Sequence, residues 1–108
     1  MVKLAAEAAS EVKPRYLVVL DLRGLCSFTD HFIIISADTD RQVRALADRV
    51  EERLAKTQAR VLHHKEGYKE ARWILLDYSD FVIHIFEEET RRYYDLEGLW
   101  ADAPKRRL

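Results

Sequence analysis

A single cysteine, Cys26, excludes a disulfide within the chain and fits a reducing compartment. No apolar run approaches the ~20 residues that span a bilayer, and the opening Met1-Val2-Lys3-Leu4 has no long apolar signal core, so a cytoplasmic protein with no membrane contact is expected. The chain also lacks an excess of either charge: 18 Lys and Arg stand against 19 Asp and Glu, a net charge of -1, which leaves no broad basic field for nucleic acid. Missing too are H-E-x-x-H, C-x-x-C, any closely spaced His/Asp ligand set, and a glycine-rich loop to hold a triphosphate. No metal or other cofactor is expected.

What is present is ordinary for a folded protein. Its 108 residues are 48% hydrophobic and 34% charged, which is enough for one domain with a modest core and argues against general disorder. Residues 2–12 place Leu4, Ala5, Ala8, Ala9 and Val12 at helical spacing, and Pro14 ends that helix by pushing its predecessor out of the α region. Residues 16–22 form a continuously apolar strand, expected to be covered on both faces. Residues 31–36 form a second strand, too close behind the first for a crossover helix, so the pair is predicted antiparallel.

Thr39-Asp40-Arg41-Gln42 reads as a capping box, and Val43, Leu46, Ala47, Val50 and Leu54 recur on one face of a helix running to about Thr57. A strand over residues 60–64 leads to a polar turn at Lys65-Glu66-Gly67. Residues 73–76 and 81–86 then form a hairpin around Asp77-Tyr78-Ser79-Asp80. Glu88 four residues before Arg92, and Glu87 four before Arg91, support a further helical turn or two. Two crossovers favour at least one parallel pairing. The fold class is therefore α/β: a five-stranded mixed sheet packed with helices. Residues 1–100 make the domain, and 101–108, with Lys105-Arg106-Arg107, a short loose basic tail.

Candidate chemistry is sparse. Adjacent His63 and His64 would point to opposite faces of a strand and make a poor metal pair. Asp38 and Asp40 could serve as a two-metal carboxylate pair, but helix capping already accounts for both. Cys26, with His31 five residues on, has no evident orienting acid and reads as an incidental thiol. Asp77, Asp80 and His84 admit two readings: turn bonds with a satisfied histidine, or a recognition face. Tyr93, Tyr94, Leu96, Leu99 and Trp100 carry more aromatic and apolar area than a short exit segment needs, and Glu88, Asp95 and Glu97 add acid suited to a basic protein partner.

Two blocks together resemble the ribosomal silencing factor family, the RsfS/Iojap proteins. The first is Leu20-Asp21-Leu22-Arg23-Gly24, Thr29-Asp30-His31-Phe32-Ile33-Ile34 and Arg41-Gln42-Val43. The second is Gly67, Trp73, Leu76-Asp77, Asp80, Val82-Ile83-His84-Ile85-Phe86, Arg91, Tyr94-Asp95-Leu96-Glu97 and Leu99-Trp100. The resemblance covers about residues 4–100, with Ala37 and Ser79 at positions where the family commonly has glycine and Thr39 in place of a serine cap.

The resemblance implies a reduced nucleotidyltransferase-like fold without catalysis. It also implies binding to the large ribosomal subunit through its small β-barrel protein at the subunit-joining face, steric block of subunit association, and repression of translation when nutrients are short. It further implies a homodimer off the ribosome and little or no RNA contact. The protein-interface residues expected on this basis are Trp73, Asp77, Asp80, His84, Arg91, Tyr94, Glu97, Leu99 and Trp100, with Trp73 and Trp100 left open between core and interface. The alternatives are a degenerate nucleotidyltransferase using Asp38, Asp40 and Asp77, or an RNA binder using residues 105–107.

Overall fold

The computed structural model of the chain describes residues 1–57 and 62–107. Helix α1 (Val2–Ser10) buries Ala5, Ala6, Ala8 and Ala9, whose small side chains let it lie close on its neighbours. Strands β1 (Tyr16–Asp21) and β2 (His31–Ala37) pair antiparallel from Tyr16 opposite Ser36 to Asp21 opposite His31.

Helix α2 (Asp40–Ala55) starts where the capping sequence places it: the Thr39 hydroxyl accepts the Gln42 N–H at 3.2 Å, and Val43, Leu46, Ala47, Val50 and Leu54 are its buried stripe. Glu11, just past α1, accepts hydrogen bonds from Arg49 and Arg53 of α2 and ties the two helices together. Both arginines hold the Glu11 carboxyl below its ordinary range.

The chain continues through β3 (His64–Glu66), β4 (Trp73–Asp77) and β5 (Phe81–Glu87). Of the strand expected over residues 60–64, residues 60 and 61 lie outside the described residues and 62 and 63 precede the ladder, which takes in His64, Lys65 and Glu66, so Lys65 and Glu66 are strand and not turn. β4 and β5 form the expected hairpin, and β2 with β5 supplies the parallel pairing. Helix α3 (Glu88–Tyr94) and the short α4 (Leu96–Leu99) follow.

The sheet has six strands, not five, in the order β3-β4-β5-β2-β1-β6. The sixth is β6 (Lys105–Arg107), antiparallel to β1 with Leu20 opposite Lys105 and Val19 opposite Arg106. The segment read as a loose tail therefore covers the outer edge of β1, and the Pro104 carbonyl extends the ladder by accepting the Asp21 N–H at 2.9 Å. Three charged residues carry no apolar alternation to announce a strand, but charged side chains are what an exposed sheet edge commonly bears.

Strand alternation divides the interior into two cores. Leu17, Val19, Ile33, Ile35, Ile74, Leu76, Ile83 and Ile85 face α1 and α2. Val18, Leu20, Phe32, Ile34, Val82 and Phe86 face the other way, where Leu22 from the β1–β2 connector, Ala103, and the half-buried Leu96 and Trp100 cover them. The continuous apolarity of β1 and β2 thus reflects cover on both faces, by α1 and α2 on one side and by the β1–β2 connector, α4 and the chain that follows it on the other.

Gly67 enters the turn before β4 at φ +82°, and a Cβ there would run into the Trp73 carbonyl. Gly67→Ala is expected to cost about 2 kcal/mol, since it combines a left-handed backbone with a clash against main chain. Urea unfolding would show it as a lower midpoint at unchanged slope, whereas an unshifted midpoint would mean the turn relaxes freely.

Candidate functional site

The second face of the sheet carries a run of touching aromatic rings. Phe28 in the connector lies 6.4 Å from Phe32 on β2, and Phe32 lies 4.4 Å from His84 on β5 and 6.1 Å edge-on from Trp100. Trp73 on β4 contacts His84 at 5.8 Å, Phe86 at 4.8 Å and Tyr94 at 4.8 Å, and Tyr94 meets Tyr93 at 5.1 Å. Ring pairs at such separations add to simple area burial, so they stiffen the face as well as cover it.

The inner part of this run is buried and its ends are open. His84 is only 4% exposed, while Trp73 and Trp100 are half-buried. Phe28 at 67%, Tyr93 at 82%, Tyr94 at 50% and Leu99 at 74% are exposed. Leu25, also in the connector, is exposed beside Cys26.

His84 supports the indole. Trp73 Nε1–H donates to His84 Nδ1 at 3.1 Å, so the neutral imidazole carries its proton on Nε2. That Nε2 is buried without a protein partner. Burial pushes the His84 pKa down to about 4, because a second proton would leave a charge among aromatic rings.

The exit segment is fastened by Arg91. Its Nε and one terminal nitrogen donate to the two Glu88 oxygens at 2.9 and 2.8 Å, its other terminal nitrogen donates to Glu97 at 2.7 Å, and the guanidinium sits 3.8 Å over the Tyr16 ring. Glu88 also accepts the Ser36 hydroxyl at 2.5 Å and Arg92 at 2.8 Å. Together these donors, Arg91 foremost, hold the Glu88 carboxyl down at about 2. The four-residue spacing predicts Glu87 as the partner of Arg91. The structure gives that place to Glu88, whose side chain turns inward at the first position of α3. Asp95, at φ +46°, caps α4 by accepting the Gly98 N–H at 3.2 Å.

The expected interface residues therefore fall into three places. Trp73, His84, Tyr94, Leu99 and Trp100 belong to the aromatic face and its exit segment, with His84 beneath it. Arg91 and Glu97 form the internal clasp, their side chains 16% and 11% exposed. Asp77 and Asp80 sit at the hairpin turn, about 13 Å along the strand from Trp73 at ordinary strand rise. There Asp77 accepts the Ser79 N–H at 2.8 Å in an Asx turn, and the Asp80 carbonyl accepts the Asp30 N–H, joining hairpin to connector. Ser79 adopts φ +74°, which explains why a glycine suits that position.

Acid near the exposed tyrosines comes from Glu87 and Glu89, which with Arg72, Trp73, Tyr93 and Tyr94 line a shallow groove. Sequence reasoning missed Leu25, Phe28 and these two glutamates. The available signal was a pair of large apolar residues inside a connector, one of them four positions before Phe32.

The nucleotidyltransferase carboxylates are not brought together. Asp38 follows Ala37, which is level with Glu87, whereas Asp77 is level with Val82, five residues or about 17 Å along β5. Asp38 pairs with Arg15 at 2.7 Å and Asp40 with Arg44 at 3.6 Å. Among the described residues no group of three or more His, Cys, Asp or Glu could hold a metal ion, and no helix is long and apolar enough to cross a membrane.

Comparison with known proteins sets this face in context. A family model described as ribosomal silencing factor during starvation matches residues 1–108. The ribosomal silencing factor RsfS of Bacillus subtilis is 36% identical over 104 residues, covering 96% of this chain and 87% of that protein. The chloroplastic protein Iojap of Zea mays is 35% identical over 98 residues, covering 91% of this chain and 42% of its own length. A crystal structure from Chromobacterium violaceum superposes with a TM-score of 0.89 at 35% identity, covering 93% of this chain and 82% of the other. One from Bacillus halodurans gives 0.84 at 34% identity, covering 99% and 96%. A match over the whole chain, in sequence and in fold, makes this protein a member of the ribosomal silencing factor (RsfS/Iojap) family.

Proposed function

We propose that the protein acts without catalysis, by binding the large ribosomal subunit and standing where the small subunit would dock. Its partner in this reading is the small β-barrel ribosomal protein at the subunit-joining face, and the outcome is repressed translation under nutrient limitation. The observation that carries the reading is the aromatic face: exposed Phe28, Tyr93, Tyr94 and Leu99 stand on a stiff, buried ring network, with acid at Glu87 and Glu89. Interfaces draw most of their affinity from such anchored aromatics, and a flanking acidic rim steers a basic partner into register. Trp73 and Trp100 contribute their open edges, and His84, Arg91 and Glu97 hold those edges in place. Asp77 and Asp80 extend the surface at the hairpin turn. Off the ribosome, a second copy covers the same apolar face in a homodimer.

Sedimentation with separated subunits tests this directly. The protein is expected to travel with the large subunit and to prevent joining. Tyr93→Ala combined with Leu99→Ala is expected to weaken that binding at least ~30-fold, the ~2 kcal/mol typical of anchor residues. Both side chains are exposed, so the melting temperature is expected to hold. A folded double variant that binds and blocks as well as the parent would overturn the assignment.

A further inference from the structure

At one end of the helical layer the sheet is left open. Asp21 and His31, the final pair of the β1–β2 ladder, share the helix-side face with Val19 and Ile33, yet neither is buried. Beyond the start of α1 they floor a groove of about 560 Å³ between the first turn of that helix and β6. Three elements bring exposed cations to it: Lys3 from α1, Arg23 from the connector and Arg106 from β6, whereas Lys105, which also borders it, is opposite Leu20 and so belongs to the other face of the sheet.

The one carboxylate in the lining is already engaged. Asp21 accepts Arg23 Nε at 2.9 Å and a terminal nitrogen at 2.7 Å, together with the Arg23 main-chain N–H at 3.1 Å. Among the described residues Lys3, Lys105 and Arg106 form no ion pair. A chain of net charge -1 thus concentrates a surplus of two positive charges in one groove.

We propose that this groove binds the phosphodiester backbone of RNA, as a contact secondary to the aromatic face. The inference rests on the ribosomal reading above for its setting. Its chemistry rests on the groove alone. Cations delivered from three separate elements suit a ligand whose charge repeats along its length. The groove presents no aromatic anchor, so it is poorly made for an acidic protein, which would need a desolvated centre. Arg106 is opposite Val19 in the ladder and so belongs to the helix side, toward Lys3.

The test uses the full chain and a short single-stranded oligouridine. Two to three phosphate contacts give log affinity against log salt a slope of about -1.4 to -2. Lys3→Glu with Arg106→Glu is expected to weaken binding at least ~10-fold and to flatten the slope by about 1.4. Lys3→Glu alone, which leaves β6 untouched, is expected to give about half that change in slope. Oligouridine binding that is absent, or unmoved by either variant while the fold is intact, would overturn the proposal. So would polyglutamate of matched charge competing as well as RNA.

A separate arm keeps the two readings apart. Tyr93→Ala with Leu99→Ala is expected to lose large-subunit binding but keep oligouridine binding, so failure of one does not pass for failure of the other.

Discussion

Replacing Arg91 with alanine is expected to destabilise the protein by about 4 kcal/mol, the range found when one partner of a buried ion pair is removed. The large value follows from what stays behind. Glu88 and Glu97 have side chains only 8% and 11% exposed. Without the guanidinium, Glu97 loses its one hydrogen-bond donor among the described residues, and one of its oxygens is unpartnered to begin with. Glu88 keeps Ser36 and Arg92 but loses its two-point contact, and Tyr16 loses the cation over its ring.

Arg91→Lys keeps the charge but cannot bridge two carboxylates in a fixed fork, so roughly half the loss is expected to remain. Arg91→Ala combined with Glu97→Gln would recover part of it, because the uncompensated charge goes too. Urea unfolding of the three variants measures the series. A loss below ~1 kcal/mol for Arg91→Ala would mean the clasp behaves as a surface ion pair.

Between pH 6.5 and about 4, stability is expected to fall by about 3 kcal/mol through His84 alone. Its folded pKa of about 4 lies below the ordinary 6.5, so over this interval the unfolded chain binds the extra proton and the folded one does not. The contribution is complete above 6.5, declines as pH drops, and levels off once the folded protein also protonates near 4. Glu88 acts in a different window: its stabilising contribution is full above the ordinary 4.5 and is lost as pH falls toward about 2. The interval from 6.5 to 4.5 therefore isolates the histidine.

His84→Leu is expected to flatten the slope of stability against pH in that interval. It also removes the acceptor for the Trp73 indole, so its stability at pH 7 is expected to be lower while its pH dependence is weaker. An unchanged slope in His84→Leu would assign the acid sensitivity to another group.

The sequence made the regular elements legible because their signals are local. The Thr39 cap, the α2 stripe and the β4–β5 hairpin all depend on residues within a turn or two of each other. The crossovers announced at least one parallel pairing, but not that it would be β2 with β5. What escaped was set by distant partners. β6 exists because β1 offers an unpaired edge, a fact about Leu20 and Val18 rather than about Lys105 to Arg107.

Arg91 and Glu97 carry the charge expected of an interface rim, but Glu88, itself held by Ser36, and the Tyr16 ring draw Arg91 inward, and Arg91 draws Glu97. Likewise a total charge of -1 conceals a basic groove assembled from residues 3, 23 and 106. The aromatic exit segment was legible as an unusual concentration of rings. Its continuation through Phe32 to Phe28 was not, since that contact crosses two strands.

The strand at the end of the chain has a consequence for recognition. Residues 95–104 are pinned at both ends, by the Arg91 clasp at one and by β6 at the other, so they form a strap and not an arm. An arm would have to surrender its conformational freedom on docking, at about 1–2 kcal/mol for each residue ordered. The strap has surrendered it already, during folding, so under the proposed function the open edge of Trp100 is offered in a preorganised geometry. Residues 105–107, though on the far edge of the sheet from the hairpin, thereby lower the entropic cost of the association proposed for the aromatic face.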